Sequence, residues 1–237
     1  VAGGMENMSL IPYYLPKGRY GHGYGNGEVL DGLVTHGLAN VYDGQAMGCF
    51  ADATATKFEI SREEQDAFAI QSYQRSAKAW DEGKFSSEVS PVEVKDRKGN
   101  VTIINHDEEY KNVKFEKIAT LRPVFTKEGS VTAANASTIN DGAAALVLAS
   151  EETVNNKGLK PIARIVAYAD GAQDPEWFTT APVIAADKAL KKAGLKIDDI
   201  DYFEVNEAFA VVTLAFIKHY NLCQDKVNVN GGAVALG

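Results

Sequence analysis

The sequence predicts an α/β layered fold that carries an insertion of helices and a hairpin. Two patterns and the composition carry this reading. From Leu121 onward, strand-like apolar runs alternate with helical ones, the β-α-β-α-β order of a layered domain. Up to about Lys117 a glycine-rich loop, two helices and a hairpin follow one another without such alternation. Of the 237 residues 45% are hydrophobic and 24% charged, which suits a globular protein with a real core.

The elements read in order as follows. "VAGGMENMS" is a strand end entering a glycine turn. "GHGYGNG" spaces Gly21, Gly23, Gly25 and Gly27 at every second position, which is not the G-x-G-x-x-G of a dinucleotide site, so it reads as a surface loop. "MGCFADATATKF" is a small-faced helix. The next helix starts at Ser61, a good N-cap with Glu64 at the capping-box position. It presents Ala67, Phe68, Ile70, Tyr73, Ala77 and Trp80 at helical spacing and stops at Gly83. "VSPVEVKDRKGNVTII" is a hairpin turning at Lys98-Gly99-Asn100.

Beyond Leu121, "VTAANASTINDGAAALVLAS" reads as an extended small-residue stretch, an Asn-Asp-Gly turn and a buried strand. "EETVNNKG" is a short helix ending at Gly158, and "KPIARIVAYADGA" a strand. "APVIAADKALKKAGL" is an amphipathic helix stopped by Gly194. "DDIDYFEVNEAFAVVTLAFIKHY" is a strand running directly into a helix, and "VNVNGGAVALG" is a short strand followed by two small turns.

The formal net charge of -8 argues against a general nucleic-acid surface. Against that background "KNVKFEKIATLR" is locally basic, through Lys111, Lys114, Lys117 and Arg122. It is either a solvated face or a docking strip for an anionic small molecule. No apolar run is long enough to span a bilayer, and no signal or transit segment opens the chain. Cys49 and Cys223 are the only cysteines and the four histidines are scattered, so neither a disulfide framework nor a Cys/His metal site is expected.

Three stretches have the makings of a site. "FEVNEAFAVV" puts Asn206 and Glu207 at a strand-to-helix junction, where ligands gather in open α/β sheets. Asn206 there either caps the helix or offers a neutral amide to an oxyanion. "TAANASTINDGAAA" is either a tight strand crossing or an accessible backbone whose carbonyls hold a cation and whose Ser137 holds a ligand. In "NGGAVALG", Gly231 and Gly232 permit close backbone approach or positive φ.

"VAGGMENMS", "SREEQDAFAIQSY", "VTAANASTINDGAAALVL", "VNEAFAVV" and "VNVNGGAVALG" together resemble the thiolase family, in order and along the whole chain. The likeness is greatest to the mitochondrial and biosynthetic acetoacetyl-CoA thiolases. It implies a five-layer α-β-α-β-α fold of two similar halves, here only in part, with a loop domain inserted in the first half. On that reading residues 1–8 end the first half, 9–120 form the CoA-binding and tetramerisation loop domain, and 121–237 make most of the second half.

The resemblance also implies an activity: reversible condensation of two acetyl-CoA to acetoacetyl-CoA and CoA through an acyl-cysteine. The family's nucleophilic cysteine precedes a "VAGGMENMS" phrase, its histidine follows a "GGAVALG" phrase, and its second cysteine lies further on. The 237 residues are therefore expected to be the middle of an enzyme, inactive alone, with sheet edges and apolar faces exposed. Asn206 matches the residue holding the oxyanion-hole water, and Ser137 the serine that meets the pantetheine arm. Met47, Phe178 and Phe209 match the acyl pocket, and Tyr73, Asn112, Val113, Lys114 and Lys117 the nucleotide end of CoA. Tyr73, Ala133, Ala134, Ala136 and Val234 match a potassium site. CoA enters as substrate and no covalent cofactor is implied. A homotetramer is expected, in the mitochondrion or alternatively the cytoplasm. The chain has Asn112 where an arginine is common, and Phe178-Thr179 where the type that cleaves branched substrates has Phe-Pro. The competing readings are a non-catalytic acyl-CoA-binding or interaction module and an unrelated hydrolase using Cys49.

Overall fold

The computed structural model describes residues 1 to 237. Its centre is α7 (Ala210–Tyr220), whose first eight residues, Ala210 to Ile217, are all buried. A helix apolar on every side must be wrapped by others. Here the wrapping comes from α1 (Met47–Lys57), α2 (Arg62–Asp81) and α6 (Ala181–Ala193). Phe50, Phe68, Val131, Val205, Phe209 and Val227 complete the main core.

Sequence chemistry sets the helix ends. Ser61 accepts the Glu64 N–H at 3.1 Å while the Glu64 carboxylate accepts the Ser61 N–H at 2.6 Å, a reciprocal cap worth about 1 kcal/mol. Gly158 and Gly194 end α5 (Glu151–Lys157) and α6 in the left-handed region, at φ 61° and 70°. The buried face of α2 differs from the expected apolar stripe. Ala67 is exposed, and Gln65, Asp66, Ser72 and Ser76 are buried beside Phe68, Ala69, Tyr73 and Ala79. Gln65 is hydrogen-bonded to Ser130, Asp66 to Asn135 and Arg62, and Ser72 to Glu207 and the Gly232 N–H, which offsets their burial. Gln65 Oε1 and Ser76 Oγ have no partner.

The strands form three two-stranded antiparallel ladders. β1 (Ala2–Asn7) pairs with β6 (Asp141–Leu146), β2 (Tyr13–Tyr14) with β3 (Leu30–Asp31), and β4 (Val92–Lys95) with β5 (Val101–Ile104). The hairpin turns where the sequence indicates, with Gly99 at φ 85°, and "GHGYGNG" is an exposed loop.

Several elements depart from expectation. Gly3 and Gly4 lie inside β1, where a Cβ on Gly3 would stand 2.4 Å from the Ala144 carbonyl oxygen. β6 is exposed throughout and is not a buried strand, and it pairs with β1 and not with segments that follow it. Lys160–Ala172 forms no ladder. A strand exists only where a neighbour takes its N–H and C=O groups, and here the Tyr168 and Asp170 carbonyls accept instead from Lys192 Nζ (2.9 Å) and Lys188 Nζ (3.1 Å) of α6. The strand before α7 is reduced to one parallel bridge, Phe203 to Val227. Exposed apolar side chains flank these open segments, among them Met5, Leu146, Val147, Ile162 and Ile165. "AVAL" closes as a short helix, α8 (Ala233–Leu236).

Candidate active site

The structure draws three distant segments together around residues 205–209. α2 forms one wall, the small-residue loop 130–140 the second, and the loop 227–232 with α8 the third. Arg75 of α2 reaches across to the Val227 carbonyl at 2.6 Å. The loop 130–136 is held by two buried acids. Asp52 of α1 accepts the Ser130 and Val131 N–H groups at 2.8 and 2.9 Å, and Asp66 of α2 accepts Asn135 Nδ2 at 3.0 Å. Loop and strand end then meet directly, the Ser137 N–H donating to the Ala208 carbonyl (3.0 Å) and the Ala210 N–H to the Asn135 carbonyl (2.8 Å).

Asn206 sits within this frame and is exposed, between buried Val205 and fully buried Glu207. It does not cap α7, whose N-cap is Phe209 with no side-chain cap. Its amide is therefore not occupied by the helix start. Val205 is bound twice to Asn228, its N–H donating to Oδ1 and its carbonyl accepting from Nδ2, both at 2.8 Å. The Glu207 carboxylate accepts from Asn228 Nδ2 (2.7 Å), the Ser72 hydroxyl (2.7 Å) and the Val234 N–H (3.1 Å).

The other expected residues fall into three groups. Ser137 is half-buried beside Ala208, and Met47, Phe178 and Phe209 share the main core, where Phe178 meets Phe50 edge-on at 6.3 Å and Phe209 meets Phe125 at 6.0 Å. Tyr73, Val113 and Val234 share a second cluster with Tyr110 and Ala235. Burial, then the charges of Glu109 and Glu207, push the Tyr73 phenol up to about 12. Asn112 and Lys117 are exposed on α3 (Glu109–Asn112) and α4 (Phe115–Ile118), and Lys114 is exposed at the N-cap of α4, after Val113.

For the cation positions, Ala134, Ala136 and Val234 are buried and Ala133 is exposed. The carbonyls of Ala133, Ala134 and Ala136 accept no hydrogen bond from the protein, and neither does the Tyr73 phenol find a partner.

A cleft of about 880 Å³ contains none of the site residues expected from the sequence. It is lined by Asp52, Arg62, Thr126 and Ser130, which are bonded to one another or to neighbouring backbone. Cys49 also lines it, but no histidine does, so a Cys-His pair for a hydrolase is missing there. Sequence reasoning gave no role to Ser72, Glu207 or Asn228. The adjacency of Glu207 to Asn206 was the visible signal, and its buried partners lie 135 and 21 residues away.

The frame thus sets an exposed asparagine at the end of a short extended segment, among small-residue loops. The thiolase N-terminal domain model matches residues 1–152 and the C-terminal domain model residues 159–237, so the chain belongs to the thiolase family. It is 52% identical over its whole length to a probable acetyl-CoA acetyltransferase of Dictyostelium discoideum, covering 57% of that protein. It is 51% identical to the mitochondrial acetyl-CoA acetyltransferase of Homo sapiens, covering 55% of it. The structure superposes at TM-score 0.92 on a thiolase from Ascaris suum in complex with coenzyme A, 46% identical, over 99% of this chain and 60% of that one. The chain thus has the thiolase fold and spans little more than half the length of these relatives.

Proposed function

We propose that these residues supply the CoA-docking and oxyanion-stabilising part of an acetyl-CoA C-acetyltransferase. The observation that carries this reading is Asn206, whose amide stays exposed between two buried, hydrogen-bonded neighbours. Support comes from family membership along the whole chain and from relatives named acetyl-CoA acetyltransferases.

In this reaction a cysteine thiolate outside the 237 residues takes the acetyl group of one acetyl-CoA and releases CoA. The methyl group of a second acetyl-CoA then loses a proton and attacks the acyl-enzyme carbonyl, giving acetoacetyl-CoA and regenerating the thiolate. Charge develops on a thioester oxygen, and a positioned neutral amide stabilises it without being neutralised itself. Asn206, acting through a water, fills that role. Ser137 meets the pantetheine arm, and Met47, Phe178 and Phe209 close the acyl end. Lys114 and Lys117, with Asn112, Val113 and Tyr73, receive the nucleotide end. The open carbonyls of Ala133, Ala134 and Ala136, with Val234 and Tyr73, suit a potassium ion, which would hold the loop 133–136 against α8.

We read residues 9–120 as the inserted loop domain. The pairing of β6 with β1 and the extent of the two family models support a meeting of the halves between 152 and 159, later than the boundary expected at 121. A mitochondrial homotetramer is the expected setting, and the exposed Tyr13, Tyr20, Tyr24 and Tyr42 of the insertion supply apolar surface for assembly.

The test is loss of acetoacetyl-CoA absorbance on adding CoA, using a polypeptide of the relatives' full length that contains these residues. Turnover is expected. CoA binding without turnover would overturn the proposal in favour of a binding module.

A further inference from the structure

We infer that Glu207 is a positioning residue that holds Asn206 at its working place through a set of hydrogen bonds whose directions leave it no alternative role. This rests on the reading of Asn206 as the oxyanion residue.

The directions follow from the partners. The Val205 N–H can only donate and its carbonyl can only accept, which fixes the orientation of the Asn228 amide between them. The second hydrogen of Asn228 Nδ2 then points at Glu207 Oε1, at 2.7 Å. The Ser72 hydroxyl accepts the Gly232 N–H at 3.1 Å, so its own proton goes to Glu207 Oε2, at 2.7 Å. The Val234 N–H can only donate, and it too reaches Oε2. Both oxygens of Glu207 therefore face donors alone, an arrangement only a carboxylate satisfies. An amide of the same shape would place an NH₂ against a donor.

The node is closed sterically as well. Glu207 is fully buried. A Cβ on Gly232 would lie 2.4 Å from the Glu207 carboxyl carbon, so the loop can pack here only as glycine. No lysine or arginine forms an ion pair with Glu207, which leaves the three donors as its compensation. Through them α2, loop 228–232 and α8 are tied to the residue after Asn206, and Asn228 ties them to the residue before it. Asn206 is thereby clamped from both sides while its own side chain stays free.

The experiment measures kcat and KM for CoA-dependent cleavage of acetoacetyl-CoA in the full-length polypeptide. A misplacement near 1 Å at a reacting group predicts that Glu207→Gln lowers kcat about 10- to 100-fold and leaves KM within about twofold. Glu207→Asp keeps the charge and recovers part of the loss. On an Asn206→Ala background Glu207→Gln causes no further fall. Wild-type kcat per folded molecule in Glu207→Gln, or a full additional fall on the Asn206→Ala background, would overturn the inference. Should Glu207→Gln fail to fold, Ser72→Ala removes one donor and is expected to lower kcat about 3- to 10-fold at unchanged KM. An unchanged kcat in that variant overturns the inference equally. Wild-type turnover in Asn206→Ala alone would instead overturn the functional reading beneath it.

Discussion

Asn135 donates to Asp66 at 3.0 Å across 69 residues, a contact that, with the Gln65 to Ser130 hydrogen bond, fastens the small-residue loop to α2. The same amide donates to the Ser130 carbonyl and accepts the Thr132 N–H, so every arm of a fully buried side chain is used. Asn135→Ala strands buried donors and acceptors and should cost about 2 to 4 kcal/mol. Denaturant unfolding checks it, and a loss below about 0.5 kcal/mol would contradict this role.

Gly231 is irreplaceable for two separate reasons. Its φ is 83°, and a Cβ there would stand 1.9 Å from Ser76 Oγ and 2.8 Å from the Ser72 carbonyl oxygen and the Ser76 nitrogen. Gly231→Ala should destabilise by about 1 to 3 kcal/mol or more. Adding Ser76→Ala should not rescue it, because the two backbone atoms remain. Full recovery in the double variant would show that the hydroxyl alone was the obstacle.

Tyr73 makes stability fall in alkali. Its phenol is pushed from 10.0 up to about 12, so between those values the unfolded chain gives up the proton while the folded one keeps it. The folded state then binds more protons, and stability declines as pH rises through that window. Below pH 10 the contribution is complete. The stability difference between wild type and Tyr73→Phe, followed from pH 9 to pH 12, should shrink as the pH rises. A difference independent of pH would contradict the assignment.

Lys114 and Lys117 are exposed and bind no carboxylate in the protein. Reversing either to Glu should raise the KM for CoA substrates about three- to tenfold at low salt, with a smaller effect at high salt. Turnover at saturation should hold. A KM unmoved at low ionic strength would return the basic strip to a solvated face.

The sequence made the caps, the helices and the hairpin legible because their causes are local. Ser61 and Glu64 lie three residues apart, and Gly158 and Gly194 mark the stops by backbone preference alone. What it hid was partnership. Lys160–Ala172 has strand chemistry, but a ladder needs a neighbour, and lysines of α6 take its carbonyls. The polar face of α2 looked unsuited to burial because its partners, Ser130, Asn135, Glu207 and Gly232, lie far along the chain. The site followed the same division. Asn206 could be picked out by position and resemblance, whereas the carboxylate beside it acquires meaning only when Ser72, Asn228 and Val234 are brought to it.

The most direct test of the account is the turnover of Asn206→Ala in CoA-dependent cleavage of acetoacetyl-CoA by the full-length polypeptide. Removing an oxyanion donor predicts a fall in kcat of about 10²- to 10³-fold with the melting transition unchanged. A folded Asn206→Ala protein turning over at the wild-type rate would contradict it.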